Sequence, residues 1–393
     1  MKAGTEKLQV SNLQIFMMMI AATVAYGHFV YVHLAFLSAG RDTWIALLPG
    51  FAVGIGVVYF QFKLMTNRPR ESLVQITLST FGKWVGFVIS AIYILFFILV
   101  AGLTVKELAS FLGLIYPVSP MPIFIFGELL LVAWALRAGV EVIARAVQLL
   151  LPGLMILGLT AATLSIPDKD ISKLLPILDH GPGSIAKASL VFVVMFSELI
   201  VFGMYIQDAN DLNRTPKQLL LAGTILFIMF IGPATGPIMV FGENIVQALA
   251  YPTYSEIQYI RLAGIFERVD ILGVLLWSIG SFLRISIFLY GASRGLAHLF
   301  KAKKENIYAL PTALFAGFLA ISIMPISREA AHEFLITTFP IIAIFVGILL
   351  PVLTGVVMLF RKNDGKKQQG NKDEVKNEGK SKGKRRQPAG NTN

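Results

Sequence analysis

The chain contains no cysteine, which excludes disulfides, thiolate metal sites and cysteine nucleophiles. It is also poor in charge: 15% of its 393 residues are Asp, Glu, Lys or Arg, where soluble proteins carry ~25%. The five histidines are scattered and form no HExxH. No nucleophile stands beside a paired base, so no enzymatic activity, metal or cofactor is expected. The alternating segments of a membrane β-barrel are absent as well. What is present is apolar: 55% of residues are hydrophobic, and several runs exceed the ~18 residues that mark a spanning helix. These features predict an all-α integral membrane protein.

Apolar runs set against polar breaks predict ten spans, at about 13–35, 44–64, 84–111, 121–137, 144–166, 186–206, 217–241, 270–299, 307–324 and 336–360. The first is too long for the apolar core of a signal peptide and reads as an uncleaved helix. Two connections, "PRESLVQITLSTFGK" and "YPTYSEIQYIRLAGIFERVD", have amphipathic character and are expected to lie along an interface. If the N-terminus is inside, the cytoplasmic side collects Lys2, Lys7, Lys63, Arg68, Arg70, Lys83, Arg137, Arg145, Arg214, Lys217, Arg294, Lys301, Lys303 and Lys304, and the opposite side has chiefly Arg41, Lys169, Lys173, Lys187, Arg261, Arg268 and Arg328. With an even number of spans, both termini are then cytoplasmic. The chain divides into a short N-terminal segment (1–12), a membrane domain (13–360) and a tail (361–393). The tail has eleven basic residues against four acids and almost no large apolar side chain, the composition of a disordered segment. Its basic character suits anionic lipid headgroups, and no nucleic-acid partner is expected.

Charges at mid-bilayer depth are costly and need an explanation. Glu198 sits in "VFVVMFSELIVFGMY" and Arg284 at comparable depth in "WSIGSFLRISIFLY". The two are expected to face each other as an ionised, hydrogen-bonded pair. The first span carries small and polar residues at its centre, "IAATVAYGHFVYVH", and the sixth does so in "MFSELIVFG". Paired interruptions of this kind point to a secondary-transporter fold with inverted repeats, the first and sixth spans being equivalent.

The sequence resembles the B subunit of the spore germinant receptors, a branch of the amino acid, polyamine and organocation transporter superfamily. The likeness is carried by "FGKWVG", "IARAVQLLLPG", "SELIVF" and "YPTYSEIQYIRLAGIFERVDILGVLLWSIGSF", and extends over residues 10–360. The resemblance implies a LeuT-like fold of five-plus-five inverted repeats, with the first and sixth helices discontinuous. It implies a ligand pocket formed by Thr23, Ala25, Tyr26 and Gly27, by Phe97 and Val100, by Ser197, Glu198 and Leu199, and by Ser281 and Arg284. Half-helix ends near Gly27 and Ser197 would offer amides to a ligand carboxylate and carbonyls to an amine, and Phe97, Val100 and Leu199 would select side-chain size. The function implied is sensing of a small nutrient germinant such as an amino acid, in partnership with receptor A and C subunits in the inner spore membrane. The alternative is an active amino acid or polyamine symporter driven by protons or sodium.

Other charges read as structural. Lys106 and Glu107 suit snorkelling or a local ion pair, and Arg137, Glu141 and Arg145 form an i, i+4, i+8 row. His28 and His33 are expected to be hydrogen-bonded inside the bundle, and Glu128 has no assigned role.

Overall fold

The structure, a computed structural model, describes residues 10–209, 215–260, 269–322, 330 and 333–361. Most of the predicted tail, together with Lys2, Lys7, Arg214, Arg261, Arg268 and Arg328, lies outside the described residues.

The described chain is helical, with one isolated bridge between Val10 and Ala209. Helix α1 (Asn12–Tyr26) starts at a capping box in which Ser11 accepts from the Gln14 amide and the Gln14 side chain accepts from the Ser11 amide. A π-turn (Gly27–Tyr31) follows, then α2 (Val32–Ala39), a short 3₁₀ turn (Gly40–Asp42) and α3 (Thr43–Thr66). This 55-residue helical stretch would be roughly 80 Å long if straight, far beyond a ~30 Å hydrocarbon core. The break at Gly40, φ +53°, is where it divides into two of the predicted spans.

The first amphipathic connection is a helix, α4 (Leu73–Phe81), whose Leu73, Val74, Ile76, Thr77 and Thr80 are buried. It leads through Gly82, φ +80°, a left-handed position that favours glycine, into α5 (Lys83–Ile115). Gly86 lets the two helices touch, since a Cβ there would meet the backbone of Thr77 and Leu78. Helices α6 (Met121–Ala138) and α7 (Val140–Leu164) are joined by Gly139 alone, φ +99°. There follow α8 (Gly181–Ser197), a 3₁₀ stretch (Glu198–Met204), α9 (Thr215–Phe241), α10 (Glu243–Ala248), α11 (Pro252–Tyr259) and α12 (Asp270–Leu299). The described part of the second amphipathic connection is α11. The chain ends in α13 (Ala309–Ser322) and a helical stretch, α14 (Phe334–Arg361), which holds two π-turns.

Eight of these stretches are long and apolar enough to span a bilayer, and the chain is a multi-pass membrane protein. The count differs from ten because the first stretch contains two expected spans, and because only 14 residues of the ninth expected span are described as α13, the residues just after Ser322 lying outside the described ones. The core is shared by α1, α5, α8 and α12, whose central residues are almost all buried. Leu149, Leu159 and Ile228, by contrast, are strongly exposed on α7 and α9, as lipid-facing side chains are.

Candidate functional site

The interruptions expected in the first and sixth spans exist as changes of winding. In the first, the π-turn begins at Gly27, and Val32 donates back to the Gly27 carbonyl. In the sixth, the α-helix gives way at Glu198 to the 3₁₀ stretch. The backbone at these points is largely satisfied: the Gly27 amide donates to the Thr23 and Val24 carbonyls. The Ser197 carbonyl accepts from Gln61 Nε2 at 3.1 Å.

The polar centre is therefore made of side chains. Arg284 of α12 and Glu198 are each 1% exposed and meet at 2.6 Å. Tyr31, from the π-turn, donates to the other Glu198 oxygen at 2.5 Å. Arg284 Nε donates to Thr104 Oγ1 of α5 at 3.1 Å, and one terminal nitrogen donates to the Ala22 carbonyl of α1. The guanidinium lies over the rings of Tyr26 and Phe288, 4.6 and 4.9 Å from their centroids. Such a cluster keeps two charges buried because each has partners; removing one would leave the other exposed to the full desolvation cost.

The structure brings Tyr26, Glu198 and Arg284 together, with Ser281 one turn away on α12. Ala25 packs on the same helix, its Cβ occupying the space that a side chain at Gly280 would need. Thr23 turns back to its own helix, donating to the Met19 carbonyl. Gly27 is pressed against the Phe230 ring and Met195 sulfur. Phe97 lies among Tyr93, Phe96 and Phe288, and Val100 offers its carbonyl to Thr104. Ser197 Oγ bonds to Val194 and Ala343 carbonyls. Leu199 faces an apolar crevice with Met19, Ile55 and Leu226, away from the charged pair. Tyr31, Thr104 and Gln61 are central residues that sequence reasoning did not single out.

Charged clusters close both ends of the bundle. On the face that carries Val10, the buried Arg294 of α12 binds Asp208, Glu305 at 2.8 Å and the Met204 carbonyl at 2.7 Å. Burial disfavours the charged form of Glu305, but the His298 hydrogen bond and the Arg294 charge prevail and hold its carboxyl down at about 2. On the opposite face Arg41 pairs with Glu243 at 2.8 Å, and His180 reaches the other Glu243 oxygen at 2.6 Å. Nearby, Glu256 of α11 binds Lys169 at 3.0 Å and Ser165 at 2.7 Å. Burial raises the Glu256 carboxyl, with Lys169 opposing it. An aromatic layer of Phe29, Phe111, Tyr251, Tyr254 and Trp277, with ring centroids 4.5–5.4 Å apart in neighbouring pairs, joins the first π-turn, α5, α11 and α12 on this face.

The remaining charges are peripheral. Lys106 extends toward the Met121 sulfur, Arg145 and Glu141 pair at 3.4 Å, and the Arg137 carbonyl receives Asn306. Glu128 Oε1 is buried without a hydrogen-bond partner among the described residues.

The sequence profile of the family described as "Spore germination protein" matches residues 9–331. Spore germination protein XB of Bacillus anthracis is 28% identical over 338 residues, covering 85% of this chain and 94% of that protein. Spore germination protein KB of Bacillus subtilis (strain 168) is 28% identical over 371 residues, covering 93% and 98%. Among solved structures, the nucleobase-cation-symport-1 family transporter Mhp1, closed with bromovinylhydantoin bound, superposes with a TM-score of 0.68 at 13% identity, covering 89% of this chain and 78% of that one. MhsT in complex with L-phenylalanine gives 0.61 at 13% identity, covering 90% and 99%. At that identity the likeness concerns the fold, which is that of the LeuT-like transporters.

Proposed function

The chain belongs to the spore germination protein family, and from that premise we propose that it is the germinant-sensing membrane subunit of a spore nutrient receptor. It binds a small nutrient such as an amino acid near the bilayer midplane and triggers germination without chemical change to the ligand. The observation that carries this reading is the Glu198–Arg284 pair, held at the interruptions of the first and sixth spans with Tyr31 and Tyr26 beside it. A ligand with both a carboxylate and an ammonium has a partner for each in that pair. Its binding would redistribute hydrogen bonds among α1, α8 and α12, the kind of differential interaction that shifts a two-state protein.

The ligand site on this reading comprises Thr23, Ala25, Tyr26, Gly27, Phe97, Val100, Ser197, Glu198, Leu199, Ser281 and Arg284, with Tyr31 and Thr104 added. The membrane domain spans residues 13–360 as five-plus-five repeats in ten crossings. The N-terminal segment and the basic tail from 361 are cytoplasmic, which in a spore is the core side of the inner membrane. The partners are receptor A and C subunits, reached by the occupied state of this subunit, and anionic lipid near the tail.

Paired measurements on purified protein in proteoliposomes test the proposal across a nutrient panel. Saturable binding with no accumulation inside the vesicles is expected. Ion-driven accumulation of the same ligand would replace the sensor with an active symporter, a use to which this fold is put elsewhere.

A further inference from the structure

A cavity of about 390 Å³ lies between α1, α7, α9, α11 and α12, within the ~300–1,000 Å³ typical of small-molecule pockets. It has only Ala25 in common with the central site proposed above. Its walls are chiefly aliphatic: Leu154 is buried on the inner side, while Leu159 and Ile228 stand at the outer rim, where the cavity opens toward lipid. Gly158 and Gly232 also line it, and a Cβ at either has room. Helix packing therefore does not demand glycine at these two positions; their effect is to widen the cavity.

The polar groups are few and have unused capacity. Glu256 and Lys169, 7% and 14% exposed, line the cavity as an ion pair. The carboxylate rests over Gly236 of α9, where any Cβ would collide with it. Both hydrogen bonds that Glu256 accepts, from Lys169 and from Ser165, fall on Oε1. Among the described residues Oε2 has no donor. Lys169 directs one N–H to Glu256 and another to the Ala162 carbonyl at 3.4 Å, which leaves a third. His28 lines the same space, and its Nε2 has no partner among the described residues.

An α-amino acid matches that spare capacity without breaking the ion pair. Its ammonium can donate to Glu256 Oε2, its carboxylate can accept from Lys169, and its side chain can fill the aliphatic volume. We infer that this cavity is a second ligand site, taking free amino acids with branched aliphatic or aromatic side chains. The inference rests on the nutrient-receptor reading but concerns a place apart from the Glu198–Arg284 pair. Two contacts join the cavity to the π-turn that also carries Tyr31. Trp277 lines the cavity and packs on Phe29 and Phe111, each at 5.2 Å, while Thr253 donates to the His28 carbonyl within the π-turn at 3.3 Å.

The test uses the full-length protein in lipid nanodiscs and L-photo-leucine, a diazirine analogue of leucine, with labelled peptides mapped by mass spectrometry. Label is expected on α7 residues 151–159 and on α11, removed by excess leucine or phenylalanine. Loss of the charge-assisted contacts in Glu256→Gln combined with Lys169→Met, or filling of the space by Gly158→Trp, should reduce it about tenfold or more. If Gly158→Trp does not fold, Gly232→Leu fills the same cavity from α9 and carries the same expectation. Competed label confined to peptides holding Tyr26, Glu198 or Arg284 overturns the second site and leaves the nutrient-receptor reading standing. No competed label anywhere counts against both. Label on α7 that decanoic acid removes and leucine does not identifies a lipid crevice and overturns the assignment.

Discussion

Glu198 and Arg284, 86 residues apart in sequence, form a 2.6 Å ion pair with almost no exposure. Because each neutralises the other in a low-dielectric interior, Glu198→Gln or Arg284→Met alone should cost ~3–5 kcal/mol, and the double substitution should recover most of that loss. Thermal unfolding of the four proteins in detergent forms a double-mutant cycle. Additive losses would show that the pair does not couple. If the pair is only a brace, the recovered double mutant also responds to ligand; if ligand works by competing for the pair, it is stable but silent.

Tyr31 completes the same cluster through its 2.5 Å hydrogen bond to Glu198. Tyr31→Phe removes a donor to a charged group while keeping the ring and its edge contact with Tyr26. The expected loss is ~1.5–3 kcal/mol, less than for Glu198→Gln. A Tyr31→Phe protein as stable as the parent would show that Arg284 alone satisfies the carboxylate.

The helical class and the meeting of Glu198 with Arg284 were legible because lone charges in apolar runs need partners at the same depth, and depth can be counted along a helix. Rotation about the helix axis cannot be counted as easily. Leu199 follows Glu198 directly, yet it faces the Met19, Ile55 and Leu226 side. Tyr31 escaped notice because a tyrosine in a spanning run usually reads as interfacial, and only the π-turn brings its hydroxyl to Glu198. The Arg294 cluster was hidden for another reason. It is assembled from Asp208, Arg294 and Glu305, which flank separate spans and each look like ordinary end-of-helix charges.

Gly27 illustrates how packing changes an expectation. Its backbone is helical, φ −59°, so it is not required for an unusual conformation. A Cβ would meet the Phe230 ring and the Met195 sulfur. Gly27→Ala is therefore expected to overpack the site and destabilise by ~1–3 kcal/mol. Phe230→Leu in the same chain should restore much of the loss, as read from protein level and unfolding midpoint. No rescue, together with a selective loss of ligand response, would instead assign Gly27 to the ligand.

Glu305 gives a pH dependence with a definite sign. Its folded carboxyl is held at about 2, below the ~4.3 of an unfolded glutamate. The folded state thus binds the proton less readily. Its contribution is fully present above the unfolded value and is lost as pH falls from ~4.3 toward the folded value of about 2. The wild-type unfolding midpoint should fall more steeply across that window than that of Glu305→Gln. Parallel curves would mean that Glu305 does not carry the linkage.

Arg284 directs its donors to three oxygens: the Ala22 carbonyl, Thr104 Oγ1 and Glu198 Oε2. A carbonyl, a hydroxyl and a carboxylate converging at a helix interruption form the type of oxygen set that holds a sodium ion in transporters of broken-helix design. Here the Arg284 guanidinium takes those positions. A sodium ion would have to displace it, stranding a buried cation among the rings of Tyr26 and Phe288. Ligand binding should therefore be unchanged when choline replaces sodium, and an imposed sodium gradient should drive no uptake. Arg284→Ala combined with Glu198→Gln removes both charges and should remain sodium-independent. A tenfold gain in wild-type affinity on adding sodium, about 1.4 kcal/mol, would require a cation site elsewhere and would favour the symporter over the sensor.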